Sequence, residues 1–322
     1  MRKNLKANMS WAGLMVLGFV LLNVLYAGGL MPPVIETTLV LIGINIILAV
    51  GLNLVIGFAG QFSLGHAGFM AIGAYATAIL SLKTPTIGGF YTGLLIGVII
   101  SGLVALIVGI PTLRLSGDYL AIATLGVAEI IRILIINLDG VTNGAAGLFG
   151  ITPFVTWSMV YIFVCVTTLI TTNFIYSASG RAMLSVRENE IAAEAMGVNT
   201  TKYKVTAFVI GAMTAALAGG LYASYFQTVM PANFTFMKSI DILIIVVFGG
   251  VGSITGTFVA AIVLGFLNMF LQDAGTIRMI IYALALIIIM IFKPSGLLGK
   301  YELSFKKIFR KGGHQNVPTD SK

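Results

Sequence analysis

Long apolar stretches, each able to cross a lipid bilayer, follow one another along this chain and are separated by short polar or glycine-rich breaks. No Asp, Glu, Lys or Arg occurs from Thr37 to Leu82, Thr84 to Leu113, Gly140 to Gly180, Val205 to Met237, or Ile242 to Gln272. A spanning helix needs ~20 such residues, so each window holds one or two spans. Segmentation predicts ten crossings, at roughly 11–31, 34–56, 62–82, 90–111, 117–137, 155–176, 205–228, 238–250, 254–272 and 277–293. The expected fold class is therefore an all-α polytopic membrane protein, folded as a single transmembrane domain over 1–322.

Two of the breaks are rich in glycine. Gly57, Gly60, Gln61 and Ser63 separate the second span from the third, and Gly249, Gly250 and Gly252 follow a short eighth span that has Asp241 near its start. Phe58 to Gly65 (FAGQFSLG) and Phe248 to Thr255 (FGGVGSIT) pair as corresponding positions in two halves. Alternating topology puts both on the cytoplasmic side, whereas inverted halves would put them on opposite sides. Unpaired backbone cannot face lipid, so such breaks sit inside protein or beside water. Ser63 and Ser253 each stand where an N-cap would start the next helix, aiming free N–H groups and a positive dipole end inward, where a carboxylate could be held. Close helix packing through small residues accounts equally well for the glycines.

Composition sharpens the class. Of 322 residues, 58% are hydrophobic and 9% charged, too few charges for a water-facing surface. The net charge of +8 does not point to nucleic acid, because the basic residues lie between spans, as topology signals do. A cytoplasmic N-terminus puts most of them on that side, including Arg114, Arg181, Arg187, Lys202 and Lys204, and leaves Lys83, Lys238 and Arg278 outside. Both termini are then cytoplasmic. The N-terminus resembles a signal peptide, but the apolar run from Trp11 to Met31 is too long for an h-region and lacks an A-x-A site; it reads as an uncleaved first span. Cys165 is the single cysteine, so no disulfide or thiolate metal site forms within the chain.

Polar residues inside spans carry the remaining signal. Glu129 and Arg132 are three apart on one helix face, where they pair structurally or border a hydrated path. His66 is expected one turn into the third span beside Gln61 and Ser63; a lone histidine is more often a hydrogen-bonded packing residue than a proton relay. Asp118 and Asn143 lie at span ends. The hydrophilic stretch Arg181 to Lys204, RAMLSVRENEIAAEAMGVNTTKYK, contains seven charged residues among helix formers. It predicts a short cytoplasmic helix over Glu188 to Met196, stopped by Gly197 with Asn199. Positive-inside topology does not require its acidic residues, so it suits either docking of a soluble partner or a solvated loop.

RENEIAAEAMGVNTTKYKVTAFVIGAMTAALAGGLYA, GLNLVIGFAGQFSLGHAGFMAIGAYATAIL and LSGDYLAIATLGVAEIIR together resemble the permease subunits of branched-chain amino-acid ABC transporters, of the LivM type, as does the later KPSGLLGK. The resemblance covers most of the chain, with the motifs in order. It implies a type II importer permease of ten helices in two inverted repeats, with a cytoplasmic coupling loop over 177–204, between the sixth and seventh spans, and a cytoplasmic tail over 294–322. The coupling candidates are Arg187, Glu188, Asn189, Glu190, Glu194 and Gly197, and the substrate-pathway candidates Gln61, Ser63, His66, Glu129, Arg132 and Ser253.

The implied partners are a homologous second permease subunit, two ATPase subunits, an extracytoplasmic substrate-binding protein and the lipid of a bacterial inner membrane; no nucleic acid is involved. The chain lacks G-x-x-x-x-G-K-[ST], so no cofactor is expected on it, ATP belongs to the partner subunits, and it is not an enzyme. Leucine, isoleucine or valine is the implied cargo, with urea, amides or other amino acids as alternatives. An ion-coupled secondary transporter would share the spans, breaks and charges without needing the charged loop. A membrane-embedded enzyme would need a catalytic motif, and neither H-E-x-x-H nor G-x-S-x-G is present. A structural scaffold is compatible with the composition, but buried polar residues and paired glycine breaks would be costly features without a path.

Overall fold

A computed structural model describes residues 33–115, 117–271 and 296–299, besides a few isolated positions. These stretches belong to one unit, Pro33–Tyr301. The expected first and tenth crossings, at 11–31 and 277–293, and the tail beyond Gly299 lie outside the described stretches.

Helix α1, Pro33–Asn53, runs on into a π-helical turn, Leu54–Phe58. An irregular stretch then leads to α2, His66–Lys83. Next come α3, Ile87–Thr112, α4, Asp118–Asn137, and the single turn α5, Asp139–Thr142. After α6, Trp157–Tyr176, two short helices, α7 (Ala178–Glu188) and α8 (Glu190–Ala195), precede the long α9, Thr200–Phe226. A 3₁₀ turn at Pro231–Phe234 opens the way to α10, Phe236–Gly249, and α11, Ile254–Phe270.

Among the described residues, five helices are long and apolar enough to cross a membrane: α1 with its π turn, α3, α4, α6 and α9. Helices α10 and α11 pass the same test only together, and they turn through 120° at the break between them. They therefore fold back on each other and do not form one straight rod. The expected third crossing is α2, whose alanine, glycine and threonine content keeps its apolarity modest while its position makes it central.

Close backbone approach holds α2 in that centre. Lipid tails are as apolar as the side chains, so association inside a membrane relies on tight packing of small residues. Gly73 of α2 lies directly against the backbone of Ala216 in α9, and Gly219 of α9 against that of Met70. A side chain at either position would occupy space already filled by main chain. Ser101 of α3 adds a hydrogen bond to the Ala212 carbonyl at 2.9 Å.

Helix α4 shows the division of faces expected at a bundle's edge. Leu120, Ala121, Thr124, Ala128, Ile131 and Ile135, a stripe recurring every three or four residues from Ala121 on, are buried, while Tyr119, Ile122, Ile130 and Ile133 are exposed. The exposed face is apolar, as a lipid-facing surface must be.

A two-residue antiparallel pairing, β1 (Leu148–Phe149) with β2 (Thr228–Val229), ties the loop after α5 to the end of α9. Ser224 reinforces the tie, donating to the Thr152 carbonyl at 3.0 Å and accepting from Phe154 N–H at 3.1 Å. This clasp lies at the end of α9 remote from α7 and α8. Most of the rest of the described chain is helical, in agreement with the expected class.

Candidate functional site

The two glycine breaks, far apart in sequence, meet in space. Gly57 at the end of the π turn lies against Gly252, so that a Cβ on Gly57 would fall 2.8 Å from the Gly252 Cα. Asn53, fully buried one turn earlier, clamps the second break with both ends of its amide. Its Nδ2 donates to the Ser253 carbonyl at 2.9 Å and to Thr257 Oγ1 at 2.8 Å, while its Oδ1 accepts from Gly252 N–H at 2.8 Å. The backbone at Gly250 and Gly252 has φ of 115° and 86°, a region that side-chain-bearing residues avoid, so the turn depends on glycine. The segment from Gly296 returns to the same place, where Leu297 N–H donates to the Phe248 carbonyl at 2.8 Å. Both breaks thus lie at one end of the bundle, as the alternating topology requires and as an inversion-related pair would not.

The charged segment covers that end. It forms two helices, where one was expected over Glu188 to Met196. Asn189 is extended and interrupts the run, its side chain accepting from Ala192 N–H at 3.0 Å to cap α8. Gly197, at φ 82°, ends α8 as expected. Asn199 does the opposite of stopping a helix: it caps the start of α9, accepting from Lys202 N–H at 2.9 Å. Glu190 of α8 pairs with Lys204 of α9 at 2.5 Å. Glu188, Glu190, Glu194 and Ile191 are exposed, and Ile191 at 83% presents an apolar side chain to solvent. Arg187 turns inward, donating from Nη1 to the Gly57 carbonyl at 2.6 Å and pairing with Glu188.

Between this segment, the first break and the start of α4 lies a polar cleft of about 200 Å³, lined among others by Gly60, Gln61, Gly117, Arg187 and Lys204. The interior beyond it carries unsatisfied polar groups. Both amide atoms of Gln61 and Nε2 of His66 are buried without a hydrogen-bond partner, as are the hydroxyls of Thr77 and Ser81 further along α2. Buried polar groups ordinarily have partners, so these four side chains stand out in the interior.

The other expected positions divide. Ser253 is the N-cap of α11, accepting from Gly256 N–H at 3.0 Å, as read from the sequence. Ser63 is not a cap: α2 starts later, with Gly65 in the capping position, and Ser63 Oγ accepts only a 3.4 Å contact from Gly65 N–H. His66 is the first residue of α2, not one turn inside it. Thr124 of α4 supports this corner by accepting from Leu64 N–H at 3.0 Å, and Ala67 N–H is received by Ser239 of α10 at 3.1 Å. Glu129 and Arg132 do pair, Arg132 Nε reaching the two carboxylate oxygens at 2.9 and 3.0 Å. Their side chains are part-exposed and flank the stripe that packs on α2, so the pair lies beside the buried cluster and not within it. Asp118 opens α4, and Asn143 holds a left-handed turn by donating to the Gly147 carbonyl at 2.9 Å.

Four contributors have no clear signal in the sequence. Asn53 was one polar residue in an apolar run, and only the tertiary contact reveals its role. Thr77 and Ser81 are small hydroxyls that spanning helices commonly satisfy against their own carbonyls. Lys238, taken as a loop charge outside the membrane, lies half-buried on the first turn of α10 and donates to Asn45 Oδ1, in the middle of α1, at 3.3 Å. Helix α10 has 14 residues, about 21 Å, so its first turn stops short of the far face of a ~30 Å hydrocarbon core.

A helical bundle with interrupted spans and polar groups sealed in its interior is an α-helical, multi-pass membrane protein. The chain belongs to the family described as branched-chain amino acid transport system / permease component, which matches residues 34–292. It is 34% identical over 262 residues to the high-affinity branched-chain amino acid transport system permease protein LivM of Salmonella typhimurium, covering 71% of this chain and 61% of that protein. To LivM of Escherichia coli K12 it is 36% identical, with the same coverage. The permease protein LivH of Escherichia coli K12 matches over 150 residues at 31% identity, 45% of this chain and 48% of LivH. The match thus spans about three-fifths of the LivM proteins' own length. No solved structure matches the chain.

Proposed function

We propose that this protein is a translocation subunit of an ATP-driven importer of branched-chain amino acids, working in a bacterial inner membrane. The observation that carries the reading is the seating of a charged, outward-facing helical segment directly on the junction of two membrane breaks. A secondary transporter has no need of such a fitting. The exposed carboxylates of Glu188, Glu190 and Glu194, with Asn189 and Gly197 shaping the turn, form the docking surface for an ATPase subunit. Arg114, Arg181, Arg187, Lys202 and Lys204 belong to the same end, which the positive-inside rule assigns to the cytoplasm along with both termini.

ATP binds and is hydrolysed on two partner ATPases, and this chain contributes no catalytic group. A second, related permease completes the pathway, in line with the similarity to both LivM and LivH. An extracytoplasmic binding protein delivers leucine, isoleucine or valine. The amino acid's charged ends require polar partners along the route and its side chain an apolar wall; Gln61, His66, Thr77 and Ser81 offer the former. Ser63 and Ser253 flank the same passage, and Glu129 with Arg132 borders it on α4.

Reconstitution in vesicles tests this. Uptake of radiolabelled leucine requires ATP on the side of α7 and α8 and binding protein on the other. Uptake driven by an ion gradient without ATP would refute the proposal, and accumulation of urea or an amide in place of leucine would refute the cargo.

A further inference from the structure

Arg187 connects the docking segment to the first break and stands beside the second. It lies in the last turn of α7, and its Nη1 donates to the Gly57 carbonyl at 2.6 Å. Its aliphatic stem lies over Gly60, where a Cβ would come within 2.8 Å of Arg187 Cγ. The same Nη1 stands beside the second break, 3.4 Å from where a Cβ on Gly252 would be. The other edge of the guanidinium is gripped by Glu188, where α7 gives way to α8. A carbonyl in the last turn of a helix has no N–H ahead of it within that helix. Arg187 supplies one from a residue 130 positions away. Since Asn53 already locks the two breaks together, a displacement of this one side chain displaces both.

We propose that Arg187 is the positioning residue through which movement of the docking segment reaches the two glycine breaks, and that it is not itself part of the ATPase-binding surface. The fork of the guanidinium suits this task, because it holds Gly57 and Glu188 at once through different nitrogens. Lysine, a single point charge on a flexible stem, could hold one or the other. This role rests on the transport function proposed above.

The test uses the whole reconstituted transporter, with both permeases, the ATPases and the binding protein, measuring ATP hydrolysis and leucine uptake in the same vesicles. In Arg187→Gln the ATPases still co-purify and hydrolyse ATP, while leucine taken up per ATP falls on the order of tenfold, a typical size for the loss of coupling between two sites. Arg187→Lys falls in the same direction by less. Unchanged uptake per ATP overturns the assignment. A parallel fall in assembly, hydrolysis and uptake with their ratio preserved also overturns it, since that is what a mere cap on Gly57 would give. Should Arg187→Gln not assemble, the uptake-to-ATP ratio of Arg187→Lys decides by the same two criteria. Absence of ATP-dependent uptake by the unaltered complex would instead remove the transport reading itself, so the two failures are distinct.

Discussion

Replacing Asn53 with leucine isolates the contribution of the clamp between the breaks. Leucine keeps the branched heavy-atom outline of asparagine, though it is bulkier, while three hydrogen bonds at 2.8–2.9 Å are lost. Hydrogen bonds within membrane bundles are worth roughly 0.6 kcal/mol each on average, which makes about 2 kcal/mol for the three. Gly252 N–H is in addition left facing an apolar side chain, a cost of about 1–3 kcal/mol for a buried donor. The Ser253 carbonyl suffers less, because it also receives the Thr257 hydroxyl at 2.8 Å. The expected destabilisation is therefore on the order of 3–5 kcal/mol. Titration of the purified protein with SDS in mixed micelles, followed by circular dichroism, reads it as a shift of the unfolding midpoint. Thr257→Val, which removes Asn53's hydroxyl partner and that hydroxyl's own bond to the Ser253 carbonyl, shifts it by only about 1 kcal/mol. An Asn53→Leu protein within about 0.5 kcal/mol of the unaltered one would refute the view that side-chain bonding holds the breaks together.

Arg132→Gln strands the Glu129 carboxylate on a spanning helix and costs about 2–3 kcal/mol, much of which the double substitution with Glu129→Gln restores; a double-mutant cycle in the same micelles measures this. Gly73→Leu forces a side chain into the Ala216 backbone and abolishes the monodisperse peak in size-exclusion chromatography. Charge reversal at the exposed Glu194 lowers the yield of co-purified ATPase without changing the amount of this chain in the membrane fraction. Lys238→Met removes the cation at Asn45 and leaves expression unchanged, while leucine uptake falls if that ammonium serves the pathway; unchanged uptake assigns it to packing alone.

Spans were legible in the sequence because a bilayer demands long charge-free stretches: each crossing expected within the described stretches falls on a helix to within a few residues, although only α1, α3, α4, α6 and α9 are long and apolar enough to cross by themselves. Local chemistry was legible where it depends on near neighbours. Ser253 caps the helix that begins one residue later, and Gly197 ends the helix before it. The failures have a common cause: several side chains of the right type stood close together, and the chain used a neighbour. Gly65 took the position read for Ser63, and the asparagines at 189 and 199 started helices within a stretch read as one helix and its stop. Arg187 stands among the coupling residues that the family resemblance implies. One of its two partners, the Gly57 main-chain carbonyl in another helix, has no signature in any stretch of residues. The junction at Gly57 and Gly252 belongs to the same category, since contact between two glycines leaves no pattern in composition.

The main-chain contacts between α2 and α9 decide which parts of the molecule can give way. Sliding either helix by one residue would drive Ile72 or Ala74 into the backbone that Gly73 now grazes, so the two cannot ratchet past each other and travel as a single plank. With the β1–β2 clasp fastening the far end of that plank, a stroke delivered at Arg187, as proposed above, would find its play at the near end, in the glycine joints.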